Sequence, residues 1–442
     1  MTAYWCAAAQ LRDGVARRVR LVTAEEKLAT VTADTDPLPG DVTLPGLVMP
    51  GVANGHSHLF HRGLRARTHG GGGTFWTWRE EMYAVAARLD PDRYHLLARA
   101  TLLEMLHAGW TAVGEFHYLH HAPSGRRYAD PNAMGEAIIA AAGEVGIRLT
   151  LLDTCYLRGG LTADGYLEPD PVQQRYSDGD VDTWAQRVGD LPERPLTRIG
   201  AAAHSVRALT RSELAAFAQA VGDRPVHAHV SEQPAENAAC LAAHGLTPTA
   251  LLDEAGLLGD HFTSVHATHL VDDDIERYAR SGSFVCFCPS TEADLADGIG
   301  PARVLHERGI PLTVGSDQNA IIDPFVELRG LELHERLASG QRGRFTPQEL
   351  RTVAGPAGYA SLGWPGGGAI KAGALADFIA VRTDSARTAG AVPGQILFAA
   401  GAPDITDVVV GGQHVIRSGE HALGPVGPLL TEALNTLRED LP

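Results

Sequence analysis

Between residues 49 and 365 the chain alternates short apolar runs, typical of strands, with segments of helical periodicity. A glycine often precedes such a run at the point where a helix would end, as Gly109 and Gly146 do. The runs cover 48–54, 111–116, 148–153, 199–204, 226–230, 262–267, 284–288 and 312–317. Eight strands with intervening helices over about 300 residues predict an α/β fold, a (β/α)8 barrel of the TIM type. A doubly wound open sheet is the alternative, but no G-x-G-x-x-G motif follows the first run.

At both ends of the chain the sequence pattern differs from that of the middle, because short apolar runs are separated by turn residues. Near the C-terminus the Gly411-Gly412 pair stands between two apolar runs, which is typical of a hairpin. We therefore predict a small composite β domain from residues 1–48 and 366–430, and a barrel domain from residues 49–365. The glycine run at 70–73 falls in the long connection after the first barrel strand, where a loop is expected.

Composition narrows the class of protein. Lys and Arg number 37 against 53 Asp and Glu, which gives a net charge of −16. This balance disfavours nucleic-acid binding, which normally uses a basic face. A membrane span is not expected because no run of about 18 apolar residues occurs. Arginines near the N-terminus interrupt any secretion signal, and five cysteines do not make a disulfide scaffold. We expect a cytoplasmic enzyme.

Histidines and one aspartate stand at the ends of predicted strands, where barrel enzymes gather their active-site groups. They are His56, His58, His229, His266 and Asp317. His56 and His58 are two positions apart, so on an extended segment both point to the same side and can reach one metal ion. Nitrogen and oxygen ligands favour Zn²⁺ or Fe²⁺ over Ca²⁺ or Mg²⁺. The spacing leaves open whether His266 binds the metal, orients water or donates a hydrogen bond.

Lysine usage limits the number of metals. Only Lys27 and Lys371 occur, both outside the predicted barrel, so no barrel lysine can be carboxylated to bridge two metals. A single metal with an open position for water is therefore expected. Hydrolysis at such a site needs a group that takes the water proton and passes it to the leaving nitrogen. Glu232, three residues after His229, is the candidate.

Several strings of sequence carry a family resemblance. PGVANGHSHLF, HAHVSEQ, SVHATH and VGSDQ, in this order, resemble the amidohydrolase superfamily over almost the whole chain. FWTWRE at 75–80, GEFHYLHH at 114–121, HSVRA at 204–208 and CPSTEADLADGI at 288–299 resemble the N-formimidoyl-L-glutamate iminohydrolases of histidine degradation. The resemblance implies one divalent metal, zinc, on His56, His58, His229 and Asp317. It also implies Glu232 as proton shuttle, His266 as the residue that polarises the imine or the water, and Asp317 as a partner of the water.

The same resemblance implies a small dicarboxylate substrate. A dianion needs arginine, which pairs with carboxylates through two hydrogen bonds. Arg79 and Arg207 match the family positions expected to hold carboxylates, and Tyr118 and His204 match hydrogen-bond donors. Where the family has a glutamine shortly after the first H-x-H motif, this chain has His61, which can still donate a hydrogen bond. A homodimer is compatible with this interpretation.

Two other functions remain open. One is a related aminohydrolase acting on a purine, pterin or triazine ring, whose site needs flat aromatic or apolar walls and has less use for paired arginines. The other is a non-catalytic scaffold that kept only the barrel, against which the intact set of His56, His58, His229, Glu232 and Asp317 speaks. Three further histidines flank Tyr118, namely His117, His120 and His121, and they are expected to line or fringe the pocket.

Overall fold

The structure is a computed structural model that describes residues 1–70 and 75–437, so the loop expected at 70–73 falls almost entirely outside the described residues. The strands, in chain order, are β1 Thr2–Leu11, β2 Gly14–Ala24, β3 Lys27–Thr32, β4 Val42–Pro50, β5 Val52–Ser57, β6 Trp110–His117, β7 Arg148–Cys155, β8 Gly160–Thr162, β9 Gly165–Leu167, β10 Thr197–Ala203, β11 Val226–Val230, β12 Phe262–His266, β13 Phe284–Phe287, β14 Leu312–Val314, β15 Phe378–Val381, β16 Ile405–Val410 and β17 Gln413–Ile416.

The helices, in chain order, are α1 Phe75–Ala86, α2 Pro91–Ala108, α3 Ala133–Val145, α4 Val181–Gly189, α5 Arg211–Ala220, α6 Pro234–His244, α7 Pro248–Glu254, α8 Asp272–Ser281, α9 Pro289–Asp294, α10 Ala302–Glu307, α11 Pro324–Ser339, α12 Pro347–Thr352, α13 Gly358–Ser361 and α14 Val426–Thr436. Gly109 and Gly146 cap α2 and α3 with φ of 100° and 77°, a left-handed conformation that glycine adopts without strain. Each helix therefore stops directly before the strand that follows it.

The eight predicted barrel strands form one parallel sheet in the order β14-β13-β12-β11-β10-β7-β6-β5. The sheet curves until its first and last strands meet, with a parallel bridge between Ser57 and Asp317. The backbone N–H groups of Ser316 and Asp317 both donate to the carbonyl of His56, at 3.1 and 3.0 Å. The predicted (β/α)8 barrel is thus confirmed, and its seam brings the end of β5 against the segment after β14.

The second sheet has strands from both chain ends, in the order β17-β16-β15-β4-β1-β2-β3. Gly411 and Gly412 form the turn between β16 and β17 with φ of 56° and 77°, as the hairpin signal predicted. The domain limits inferred from sequence, after residue 48 and after residue 365, stay a prediction. In the structure β4, a strand of this second sheet, continues to Pro50. Among the described residues, no helix combines the length and apolarity that spanning a bilayer requires.

A buried ion pair joins the two sheets. Arg148 at the start of β7 donates to Asp377, just before β15, from Nε at 2.6 Å and from Nη2 at 3.2 Å. Both side chains are fully buried. Asp377 also accepts hydrogen bonds from the Tyr359 hydroxyl at 2.9 Å and from the N–H of Gly411 at 2.7 Å. The negative charge thus satisfies donors from the barrel, from α13 and from the β16–β17 turn.

We predict that Asp377→Ala destabilises the chain by about 3–5 kcal/mol, because it leaves Arg148 buried with Glu26 as its one remaining ionic partner among the described residues. Urea unfolding followed by circular dichroism measures the change. Asp384→Ala is the matched control: Asp384 pairs with Arg382 on the surface, and exposed pairs contribute about 0–1 kcal/mol. Equal unfolding midpoints for the two variants would contradict the prediction.

Candidate active site

Four side chains converge where the barrel closes. His56 is in β5 and His58 directly follows it, His229 is in β11, and Asp317 lies three residues past β14. The Nε2 atom of His229 lies 3.2 Å from Nε2 of His56 and 3.3 Å from Nε2 of His58. Oδ1 of Asp317 lies 3.4 Å from each of the same atoms of His56 and His58. The set predicted as metal ligands is therefore assembled at one point, and all four side chains are buried.

Hydrogen bonds behind two of the rings fix their tautomers. His58 Nδ1 lies 2.9 Å from the Phe116 carbonyl, and His229 Nδ1 lies 2.9 Å from the His204 carbonyl. A carbonyl oxygen only accepts, so each Nδ1 carries the hydrogen and each Nε2 presents a lone pair. Burial lowers the pKa of His56 and His229 well below the usual histidine value, with neighbouring imidazoles adding to the effect. The Nε2 atoms of His58 and His229 thus present lone pairs that attract a cation.

The spacing fits one small divalent ion. Ligand atoms placed tetrahedrally at about 2.0–2.1 Å from a zinc ion are about 3.3–3.4 Å from one another. The four distances above range from 3.2 to 3.4 Å. Burial raises the pKa of Asp317 to about 7, so its ionised form needs a positive neighbour. Three nitrogens and one carboxylate oxygen are a donor set for Zn²⁺ or Fe²⁺.

A hydrogen-bonded network across the seam holds the ligands in place. Asn54 in β5 donates to the Ser316 hydroxyl at 2.7 Å and accepts from the Ser316 N–H at 3.0 Å. Ser316 in turn donates to Asn319 at 2.6 Å, and Asn319 donates to the His58 carbonyl at 2.9 Å. The backbone at Asp317 is left-handed, with φ of 42°, which an L-residue adopts only when its surroundings enforce it. The sequence analysis did not identify this network.

His266 ends β12 beside the ligand set, and a buried carboxylate orients it. Its Nδ1 lies 3.3 Å from Oε1 of Glu292, which also accepts from the Cys288 N–H at 2.7 Å. Its Nε2 lies 3.8 Å from Oδ2 of Asp317. Burial opposes protonation, but Glu292, Glu232 and Asp317 outweigh it and raise the pKa of His266 to about 10. The sequence analysis did not single out Glu292, although it lies within the string at 288–299, in the short helix α9 that follows β13.

His58, His229 and Asp317 line a cavity of about 310 Å³ whose wall also includes Glu232 and Arg207. Glu232 follows β11, two residues past its end, and its Oε2 lies 3.2 Å from Nη2 of Arg207. Arg207 Nε also donates to the Ser205 hydroxyl at 3.2 Å. The predicted proton shuttle and the predicted carboxylate-binding residue are therefore in direct contact, which the sequence did not indicate.

The remaining residues predicted to bind substrate line the same cavity: His61, Arg79, Tyr118 and His204. The Tyr118 hydroxyl lies 3.0 Å from Nε2 of His61. Arg79 donates to the Tyr83 hydroxyl from Nε at 2.9 Å, and its Nη2 lies 3.8 Å from Asp170. Of the residues predicted as catalytic, substrate-binding or metal-ligating, His56 alone is not part of the cavity wall.

The expectation for the three histidines around Tyr118 is wrong. His117, His120 and His121 are buried behind the cavity and are not among its lining residues. His120 Nε2 donates to the Thr154 carbonyl at 2.8 Å, and His121 Nε2 lies 3.0 Å from Asp178. His117 is the last residue of β6, and His120 and His121 follow Tyr118 in the next loop, so nearness to Tyr118 in the sequence does not give these side chains its direction.

These features define a (β/α)8 barrel with a candidate active site at the carboxyl ends of its strands. Residues 47–415 match the amidohydrolase family, and the chain belongs to that family.

Individual relatives cover nearly the whole chain. It is 36% identical over 440 residues to the formimidoylglutamate deiminase of Pseudomonas aeruginosa, covering 96% of both chains. It is 28% identical over 387 residues to the 8-oxoguanine deaminase of the same organism, covering 84% of this chain and 83% of that one. The crystal structure of an amidohydrolase from Brucella melitensis superposes with a TM-score of 0.91 at 31% identity, covering 99% of this chain and 100% of the other. These relatives indicate a hydrolytic enzyme.

We predict that the purified chain binds one equivalent of divalent metal and that His229→Ala loses it, because the variant removes one of four converging ligands. Atomic absorption after dialysis measures the content. His227→Ala is the matched control from the same strand. Nε2 of His227 lies 3.1 Å from the Ser361 carbonyl, and His227 is not a member of the ligand set. Retention of stoichiometric metal by His229→Ala would show that the four groups do not form the site.

Proposed function

We propose that this enzyme hydrolyses N-formimidoyl-L-glutamate to N-formyl-L-glutamate and ammonia, a step of histidine degradation. One observation carries the proposal: a single cavity joins the converging ligand set to two arginines, Arg79 and Arg207. The ligand set suits hydrolysis of a C–N bond, and the guanidinium groups suit a small molecule with two carboxylates. The formimidoylglutamate deiminase relative supports the same substrate.

The proposed cofactor is one divalent ion, Zn²⁺, held by His56, His58, His229 and Asp317. When bound, such an ion acidifies water and stabilises negative charge that develops on oxygen. The protein supplies the remaining requirements. The carbonyls of Phe116 and His204 keep two imidazoles in the ligating tautomer, and the seam network fixes the position of Asp317. These contacts hold the ligands ready, which reduces the rearrangement needed during the reaction.

Glu232 is proposed to move the proton. Water adds to the formimidoyl carbon through a new C–O bond, and its proton passes to Glu232. Glu232 delivers this proton to the terminal nitrogen and then carries the hydroxyl proton of the tetrahedral intermediate to the same nitrogen. The C–N bond to that nitrogen breaks, ammonia leaves, and the carbon becomes the formyl group. A carboxylate in the cavity wall beside the ligand set serves both steps. The contact with Arg207 keeps the side chain on this side of the cavity.

His266 and Asp317 are proposed to orient the water and stabilise the charge of the tetrahedral intermediate. Protonated His266 directs a positive Nε2–H towards the ligand set, and Glu292 fixes the ring from behind. A preorganised charge in a buried site stabilises a transition state more than one that must rearrange. Glu292 acts through His266 and is a positioning residue.

A ring aminohydrolase is the second candidate, because the cavity wall also contains Trp78 and several tyrosines and because the 8-oxoguanine deaminase is a relative. We expect ammonia release from N-formimidoyl-L-glutamate and none above background from guanine, adenosine, pterin or triazine substrates. A coupled ammonia assay on the metal-loaded enzyme makes the comparison. Turnover of a ring compound with none of N-formimidoyl-L-glutamate would refute the proposed substrate.

We predict that Glu232→Gln lowers kcat by at least about 100-fold, the lower end of what a general acid–base contributes, while the metal content stays at one equivalent. The amide keeps the size of the side chain but cannot accept a proton. Glu254→Gln is the control: Glu254 pairs with Arg211 on the surface, and its loss should leave kcat unchanged. A Glu232→Gln enzyme with normal kcat would mean that another group moves the proton.

A further inference from the structure

The hydroxyl group of Tyr156 has an unusual position in the cavity. Tyr156 directly follows β7, its side chain lines the cavity, and its ring packs edge-on against His204 with ring centres 4.5 Å apart. No motif drew attention to it in the sequence. The residue is 8% exposed, so its polar atom depends on neighbours within the protein or on a bound ligand.

Gln173 determines which way this hydroxyl can donate. Oε1 of Gln173 accepts from the Asp170 N–H at 2.9 Å, and a backbone N–H can only donate, so the amide nitrogen must be the other atom. That nitrogen donates to the Tyr156 hydroxyl at 2.8 Å and to the Gly159 carbonyl at 3.0 Å. The Tyr156 oxygen is therefore an acceptor towards Gln173. Its own hydrogen finds no acceptor among the described residues.

Two guanidinium groups share the cavity with this hydroxyl, and each lies beside a carboxylate: Arg207 beside Glu232 and Arg79 beside Asp170. Arg79 and Arg207 line the same cavity, and both act on Tyr156 electrostatically. Burial outweighs them and raises the pKa of Tyr156, so the phenol keeps its proton. Asp170, which donates its N–H to Gln173, lies 3.8 Å from Arg79. One loop therefore contacts both Arg79 and Tyr156. A donor with a spare hydrogen, in a cavity with two guanidinium groups, matches what a carboxylate oxygen accepts.

We propose that Tyr156 is a further substrate-binding residue, whose hydroxyl donates a hydrogen bond to a substrate carboxylate held by the arginines, and that Gln173 is the positioning residue that aims it. This inference rests on the proposed dicarboxylate substrate. It assigns to the loop after β7 a part in selecting carboxylates over uncharged groups.

Binding of glutarate tests the inference without turnover. Calorimetry on the metal-loaded enzyme should show that Tyr156→Phe binds glutarate about 10- to 100-fold more weakly than wild type, as expected for a lost hydrogen bond to a charged group. The same change should appear in kcat/KM for N-formimidoyl-L-glutamate, mainly through KM. Tyr4→Phe, which removes a hydroxyl bonded to Gly412 in the other sheet, is the matched control and should change neither value. Unchanged glutarate binding by Tyr156→Phe would overturn the inference.

Gln173→Glu tests the positioning role. A carboxylate in place of the amide accepts the Tyr156 hydrogen and withdraws it from the cavity, so this variant should weaken glutarate binding as Tyr156→Phe does. The double variant should be no worse than either single variant, because both remove the same hydrogen bond. Full additivity, or normal binding by Gln173→Glu, would overturn the role of Gln173.

Wild-type binding of glutarate separates this inference from the proposed function. Glutarate binding by a wild-type enzyme that does not turn over N-formimidoyl-L-glutamate would refute the proposed reaction while supporting the carboxylate site. Absence of glutarate binding to wild type would overturn the inference itself.

Discussion

The rest of the structure depends on the convergence of four polar side chains at the point where the barrel closes. Three imidazole nitrogens and one carboxylate oxygen face one another, with 3.2–3.4 Å between four pairs of these atoms, inside a buried site. Backbone carbonyls hold two of the rings in the tautomer that prevents a nitrogen from donating instead. Burial without a partner is costly for each of these groups. The geometry of this set and the closure of the barrel are therefore linked, since Asp317 belongs both to the set and to the seam with β5.

Layers of buried polar groups support this centre. Next to the ligands lie Glu292 behind His266 and the Asn54–Ser316–Asn319 network. Further out, Arg148 and Asp377 fasten the second sheet beneath the barrel. Each of these carboxylates, amides and the guanidinium group has a hydrogen-bond partner from a different strand or loop, so the network resists small displacements of single elements. Such rigidity suits a site that must hold ligands and a proton carrier within a few tenths of an ångström.

The sequence predicted a large part of the site because the relevant signals are local. The eight strands were identified by short apolar runs, and the ligands by histidines and an aspartate at the ends of those runs. Glu292, Tyr156 and Gln173 were missed because their importance lies in contacts between loops that are distant in the chain: Gln173 meets Tyr156 seventeen positions away, and Glu292 meets His266 twenty-six positions away. The histidines around Tyr118 were misjudged because neighbours in a loop need not point the same way.

Local chemistry alone determined that this chain alternates strands and helices, that it presents imidazoles and a carboxylate at strand ends, and that it has no barrel lysine to bridge two metals. Periodicity and residue type act over a few positions, so they can be recognised in a single sequence. Only the tertiary structure decided which side chains share the cavity, that Glu232 meets Arg207, and in which direction the Tyr156 hydroxyl can donate. Those outcomes depend on how far the sheet curves before its edges join, because curvature sets the distances between loops that no local pattern encodes.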